Sequence, residues 1–227
     1  MGSRTEDRSM DQPTPASRTS ILFADLAPRE RYKLLVATVI PRPIALVTTI
    51  DRNGVVNAAP YSFFNAFSED PPLVVLGLQH KADRTAKDTT RNIAETGFFA
   101  VNLVDEALGE AMNLCAVDFP PEESEIDAAG LNLVPGQETP VPVIAEAPFA
   151  LECKRTVSLA FGPDRELLVG EALRFHARPG LLDTKTMRID AEGYNPIGRL
   201  FANSYSRQRD RFDLVRETYG EWKAKQD

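Results

Sequence analysis

Apolar and polar positions alternate along this chain in short blocks, most of them the length of a strand. Residues 44–50 (IALVTTI) are apolar and β-branched, and Pro41 and Pro43 just before them forbid helix, so they read as a strand. Arg52-Asn53-Gly54 supplies the positive-φ residues of a tight hairpin, which starts a second strand at Val55. Residues 73–79 and 98–104 are two more buried strands, and strands return at 149–161 and 166–178 on either side of the turn GPDR. Helical spacing is rarer. Pro28 opens a helix that carries Tyr32, Leu35 and Val36 at helical intervals, Asp88 or Thr89 caps a second that Gly97 closes, and Asp105 starts a third. The closing EWKAKQD reads as a solvated helix.

Two stretches resist this scheme. Residues 117–147 are rich in Pro and acids and read as a long excursion over the surface with at most one helical turn. Residues 196–214 read as short helix and loop. No internal repeat and no βαβ alternation appear, so the predicted fold is mostly β within an α+β class: an antiparallel barrel with inserted helices. No G-x-G-x-x-G follows a strand, which disfavours a Rossmann unit. The chain divides into a flexible lead at residues 1–18, a domain at 19–214 and a tail or helix at 215–227.

Composition narrows the function. At 227 residues the chain can bury a sizeable core, and its net charge of −7 argues against a nucleic-acid partner. No apolar run approaches the ~20 residues of a membrane span, and the first residues lack the apolar core of a signal peptide. Cys115 and Cys153 show no CxxC or zinc spacing, so they are expected to be buried, reduced thiols of a cytoplasmic protein with no metal.

The chemistry concentrates in two segments. NAAPYSFFNAFSEDPP, residues 57–72, is too long for a tight turn. Asn57, Tyr61, Ser62 and Asn65 offer polar groups, Ala58, Ala59 and Pro60 allow close backbone approach, and Phe63, Phe64 and Phe67 are anchors. This suits a planar heterocycle with a polar rim, and equally a loop whose polar groups satisfy one another. In the second segment Lys81, Arg84, Lys87 and Arg91 interleave with Thr85, Thr89 and Thr90 around a helix start. That is an arrangement for a phosphate, or else a solvated helix face. The intervening strand spans ~23 Å, comparable with a mononucleotide and its ring. A third group, Ser204, Tyr205, Arg207 and Asp210, either closes a pocket or docks the C-terminal segment. His80 and His176 have no nucleophile or carboxylate at a telling spacing, so any redox chemistry needs a cofactor.

PRPIALVTTIDRNGVVNAAPYSFFNAFSEDPPLVVLGL, followed by KDT, NI, TGFFAVNLV, LEC, LVGEALRFH and YSRQRDRF, resembles the flavin reductase-like FMN-binding family of flavoredoxins and monooxygenase reductase components. The resemblance runs over residues 26–214. It implies a split β-barrel that forms a homodimer, holds FMN near the interface, accepts a hydride from NADH or NADPH and passes electrons to a monooxygenase or another acceptor. Carried onto this chain, Thr48, Thr49, Ala59, Pro60, Tyr61, Ser62 and Asn65 would line the ring, with Ser62 at its edge. Lys87, Asp88 and Thr89, with Arg84 and Asn92, would hold the phosphate end. No catalytic side chain is assigned, though His176 would approach the nicotinamide or substrate side. Many relatives carry glycines where this chain has Phe201 and Ala202. A flavin-binding or sensing module without turnover, and a plain structural barrel, are the other readings of the same residues.

Overall fold

A computed structural model describes residues 18–119 and 123–226. The predicted lead lies almost entirely outside the described residues. Residues up to Thr38 form one compact unit and those from Val39 onward a second. In the first, helix α1 (Pro28–Thr38) has Pro at its first position and is held at its start by Glu30, whose carboxylate accepts the N–H of Ala27 at 2.8 Å.

The second unit is built on one seven-stranded antiparallel sheet in the order β2-β1-β5-β8-β9-β4-β3. The strands are β1 (Ala45–Ile50), β2 (Val56–Tyr61), β3 (Phe64–Glu69), β4 (Pro72–Gln79), β5 (Phe98–Leu103), β8 (Phe149–Ala160) and β9 (Arg165–Ala177). The expected hairpin forms at Asp51–Gly54, where the Asp51 carboxylate accepts the N–H groups of Asn53 and Val55 and Gly54 takes φ 84°. The second strand, expected from Val55, runs into segment 57–72 as β2, and the rest of the segment, expected as a loop, instead forms a further strand, β3. Its alternation was hidden because β3 is a mostly exposed edge strand that carries a bulge between Ala66 and Ser68.

No hydrogen-bonded ladder joins β2 to β3, so the described sheet is not closed. Only Ser62 and Phe63 separate these two edge strands, however, so the sheet must curl until its edges meet at that corner. The inner face carries Ala45, Val47, Leu76, Leu78, Phe99, Val101, Cys153 and Leu168, all at most 1% exposed. Helix α2 (Asp88–Thr96) adds Ile93 to this core. Two glycines permit the packing. A Cβ on Gly170 would lie 2.3 Å from the buried Phe99 ring, and one on Gly77 would lie 2.9 Å from Cβ of Phe63.

The outer face is treated differently in its two halves. Over β2-β1-β5-β8 it is covered by α3 (Gly109–Leu114), α4 (Glu125–Ala128) and the short hairpin β6 (Leu133–Val134) and β7 (Val143–Ile144). The Pro- and acid-rich excursion is therefore a wall of the core, because Ile126, Leu131, Val141, Val143 and Ile144 are buried between its charges. Beyond it, β10 (Leu182–Asp183) pairs with β11 (Arg188–Ile189), and β12 (Ile197–Arg199) with β13 (Tyr205–Arg207). The last pair replaces the helix and loop expected for 196–214. Helix α5 (Tyr219–Ala224) follows.

Gly170→Ala is expected to lower unfolding free energy by about 1–3 kcal/mol, since the ring of Phe99 has nowhere to go. Denaturant titration checks this, and Phe99→Leu in the Gly170→Ala background should cost less than Phe99→Leu alone.

Candidate functional site

The site is assembled where α2 meets the inner face of β1 and β2. Register places Thr49 opposite Asn57, Val47 opposite Ala59 and Ala45 opposite Tyr61, so Thr49, Asn57, Ala59 and Tyr61 share that face. Side chains of α2 bind two of them directly. Asn57 Nδ2 donates to Thr89 Oγ1 at 3.0 Å, and Asn92 Nδ2 donates to Thr49 Oγ1 at 3.1 Å. The Tyr61 phenol is pushed up to about 12 by burial, against a hydrogen bond with Thr89 and with Asp88 adding to the rise. It therefore stays protonated at physiological pH and can donate.

Helix α2 begins one residue before the expected caps. Lys87 is the N-cap and no side chain caps the helix, because an ammonium offers no acceptor to the first-turn N–H groups; Thr89 and Asp88, inside the first turn, are engaged by Asn57 and by Arg91 at 2.5 Å. Its first-turn N–H groups thus face an open amino terminus beside the Lys87 ammonium. Gly97 closes the helix as expected, at φ 79°. Among the described residues three buried side-chain polar atoms have no hydrogen-bond partner: His80 Nε2, Thr90 Oγ1 and Asn92 Oδ1. Two of the three belong to the first half of α2, and native proteins seldom leave such atoms unsatisfied without a ligand or water to meet them.

The other expected residues are placed less closely. Ser62 is half-buried at the corner, 3.4 Å from Nε of Arg42. Arg42, 7% exposed, also donates to the carbonyl oxygens of Val39 at 3.0 Å and Leu200 at 2.6 Å. Asn65 and Arg84 are exposed. Thr48 and Pro60 alternate onto the opposite face, where the Thr48 hydroxyl donates to Pro142 O at 2.7 Å. His176 also lies away from α2, with Nε2 2.7 Å from the carboxylate of Glu152.

Sequence reasoning missed Arg42 and two acids. Glu152 is fully buried and accepts the N–H groups of Gln137, Glu138 and Thr139 as well as the His176 ring. Burial would raise its pKa, but these donors outweigh burial and hold it at about 2. Glu125 accepts the N–H of Ala58 on the free edge of β2, and its pKa is raised chiefly by burial. Only a contact visible after folding marks either one, since both sit in ordinary acidic text.

A separate cleft of about 920 Å³ lies between α3 and the β12–β13 hairpin, lined in part by Glu106, Glu110, Asn113, Tyr205 and Arg207. It is lined by none of the expected cofactor residues; Arg42 ties Ser62 to Leu200 in the adjoining turn. That turn contains Ala202 at φ 48°, in the left-handed region that favours glycine. Among the described residues no three His, Cys, Asp or Glu side chains are grouped to hold a metal, and no helix is long and apolar enough to cross a membrane.

The flavin reductase like domain matches residues 37–198. The chain belongs to this family. BH2278 of Halalkalibacterium halodurans is 41% identical over 198 residues, 85% of this chain and 94% of that protein. Among solved structures, the Pseudomonas fluorescens 2-nitrobenzoate 2-nitroreductase NbaA aligns with TM-score 0.82 and 40% identity, covering 88% of this chain and 98% of that one. The Bacillus cereus nitrilotriacetate monooxygenase component B aligns with TM-score 0.83 and 38% identity, covering 87% and 99%. Membership and these neighbours support an oxidoreductase for this flavin reductase-like chain.

Two outcomes follow from the geometry. Glu152 has a folded pKa below its unfolded value, so its stabilisation is present above about pH 4.5 and is lost as pH falls towards 2. Glu152→Gln is expected to lower stability by roughly 1–3 kcal/mol at pH 7 and to flatten the acid limb of the stability curve. Ala202→Gly should raise stability by about 1 kcal/mol by removing the left-handed strain, measurable as a shift in denaturant midpoint.

Proposed function

We propose that the chain is an FMN-dependent NAD(P)H oxidoreductase whose flavin lies beside the junction of α2 with the β1–β2 hairpin, at the amino terminus of α2. The observation that carries this reading is the uncapped start of α2 together with the unpartnered buried atoms of Thr90 and Asn92. An uncapped helix start beside a lysine suits a phosphate monoester. A buried hydroxyl and amide oxygen facing no protein group suit a polar molecule that enters with its own donors and acceptors.

Lys87, the N–H groups of Asp88 to Thr90, and the Thr90 hydroxyl would hold the phosphate, with Arg84 adding charge from the exposed side. Ala59 and Tyr61 would face the ring, with Thr49 buried behind them against Asn92 and with Ser62 and Asn65 towards the ring edge at the strand corner. Tyr61 would serve as a neutral donor, since its phenol keeps its proton up to about pH 12. When bound, FMN supplies acceptance of a hydride from NADH or NADPH and delivery of electrons to an acceptor. The protein's part is to orient the ring, exclude water from one face and stabilise added negative charge with fixed donors. A homodimer with the flavin near its interface, and a monooxygenase or similar redox acceptor, complete the reading, and the chain would work in the cytoplasm. Thr48 and His176 face away from α2 and would take no direct part.

The test is spectroscopic. Titrating the purified protein with FMN should quench flavin fluorescence with saturation, and FAD should bind more weakly. Lys87→Ala should weaken FMN binding about 10- to 100-fold, the loss expected for one charge-assisted contact. Anaerobic NADH or NADPH should then bleach the bound flavin. Absence of FMN binding overturns the site, whereas binding without bleaching leaves a flavin-binding module and removes the enzyme.

A further inference from the structure

Two residues hold the corner between β2 and β3. Gly77 donates its N–H to the carbonyl of Phe63 at 2.7 Å, and its missing Cβ leaves room for Cβ of Phe63. Arg42 is the other, fixed first through its backbone: its N–H donates to the Arg199 carbonyl at 3.0 Å, and the Arg199 N–H returns the bond at 2.8 Å. Its side chain is then pinned by Val39 O on Nη1 and Leu200 O on Nη2, with the guanidinium carbon 6.0 Å from the centre of the Phe63 ring. Nε donates to Ser62 Oγ at 3.4 Å.

That last bond has a direction. Arginine is always charged and only donates, so Ser62 accepts with an oxygen lone pair. The hydroxyl proton of Ser62 is thereby turned away from the guanidinium, and among the described residues no acceptor takes it. A half-buried hydroxyl that keeps its proton uncommitted is a donor waiting for an acceptor from outside the chain.

The charge behind it exceeds what these ties require. Among the described residues Arg42 is the one buried lysine or arginine. Burying a guanidinium is costly, and a neutral amide would donate to the carbonyls of Val39 and Leu200 without that cost. The other cations of the expected site stand elsewhere, Lys87 at the start of α2 and Arg84 exposed in the loop before it.

We propose that Arg42 tunes the flavin: as a positioning residue it aims the Ser62 hydroxyl at the ring edge, and it fixes a positive charge behind that hydroxyl. The inference rests on the flavin reading above, which puts Ser62 at the ring edge, and deepens it by naming what favours the electron-rich ring. Reduction leaves negative charge along the carbonyl edge of an isoalloxazine. A donor and a cation already held beside that edge stabilise the reduced form more than the oxidised one, with no reorganisation as the charge arrives. The result is a higher midpoint potential and a ring that accepts an electron pair more readily. Loss of Arg42 frees the Ser62 proton to turn elsewhere and removes the charge at the same time.

The test uses the whole chain loaded with FMN, and its probe is sodium sulfite. The sulfur lone pair of sulfite forms a bond to N5 of the oxidised ring, the N5=C4a pair moves onto N1–C2=O, and the yellow absorbance bleaches with no other reactant. Sulfite affinity therefore reads stabilisation of negative charge without turnover. Arg42→Gln and Ser62→Ala are each expected to weaken sulfite binding about 10- to 100-fold, as for loss of a hydrogen bond to a charged group, and to lower the midpoint potential against a reference dye. Arg42→Lys keeps the charge and should recover most of the loss. Ser62→Ala should cost less in the Arg42→Gln background than alone, because the two side chains act as one unit. Circular dichroism checks folding, and Ser62→Ala, which removes a single hydroxyl, decides the matter if Arg42→Gln does not fold. A wild type that binds no FMN overturns the flavin reading and this inference with it. FMN-loaded variants that match the wild type in sulfite affinity and potential, or an Arg42→Lys as weak as Arg42→Gln, overturn the role of Arg42 and leave the flavin reading standing.

Discussion

The candidate site depends on the hydrogen bonds that stitch α2 to the first hairpin. Asn57 and Asn92 each spend an amide donor on a threonine hydroxyl across the helix–sheet boundary, and Thr49, Thr89 and Asn92 are all at most 2% exposed. In so dry a place an unmade bond of this kind costs about 1–3 kcal/mol, so the pair sets both the height and the rotation of the helix. The cap position itself falls to Lys87, whose side chain has no acceptor for the first-turn N–H groups. The helix is thus fixed by bonds from its first turn and middle while its amino terminus stays without a side-chain cap.

A second constraint acts on the other side of the sheet. Glu152 collects three backbone N–H groups and an imidazole, and so ties the stretch from Gln137 to Thr139 against β8 and β9. Packing is close there. A side chain at Gly136 would strike the carbonyl oxygens of Thr139 and Val141 at 2.3 and 2.5 Å. The carboxylate thus does for the excursion what the asparagines do for α2: a few buried polar bonds position a segment that apolar contact alone would leave free to slide.

Much of this was legible in the sequence. The strands around Val47, Leu76, Val101 and Leu168 follow from runs that suit a pleated, two-sided core, and Asp51–Gly54 and Gly97 mark a turn and a helix end by their backbone needs. The flavin reductase-like family was legible from the run through residues 41–78 and the KDT that follows it. What could not be read depends on contacts distant in sequence. The strand β3 has one exposed side and a bulge, so its alternation is broken; the wall formed by 123–147 is disguised by acids lying between its buried residues. Thr48 and Thr49 look equivalent in text, yet the pleat sends one to Pro142 and the other to Asn92. The roles of Arg42, Glu125 and Glu152 rest on partners distant in sequence, such as Ser62, Ala58 and Thr139.

Pro60 has a bearing on solubility. The strand β2 lies at one margin of the sheet, where backbone donors would invite a foreign strand to add on. At that margin Ala58 has its donor taken by Glu125, and Pro60, two positions on and so turned the same way, has none to give. Between Ala58 and Pro60 that border therefore offers an added strand no free backbone donor, which narrows the opening to templated growth.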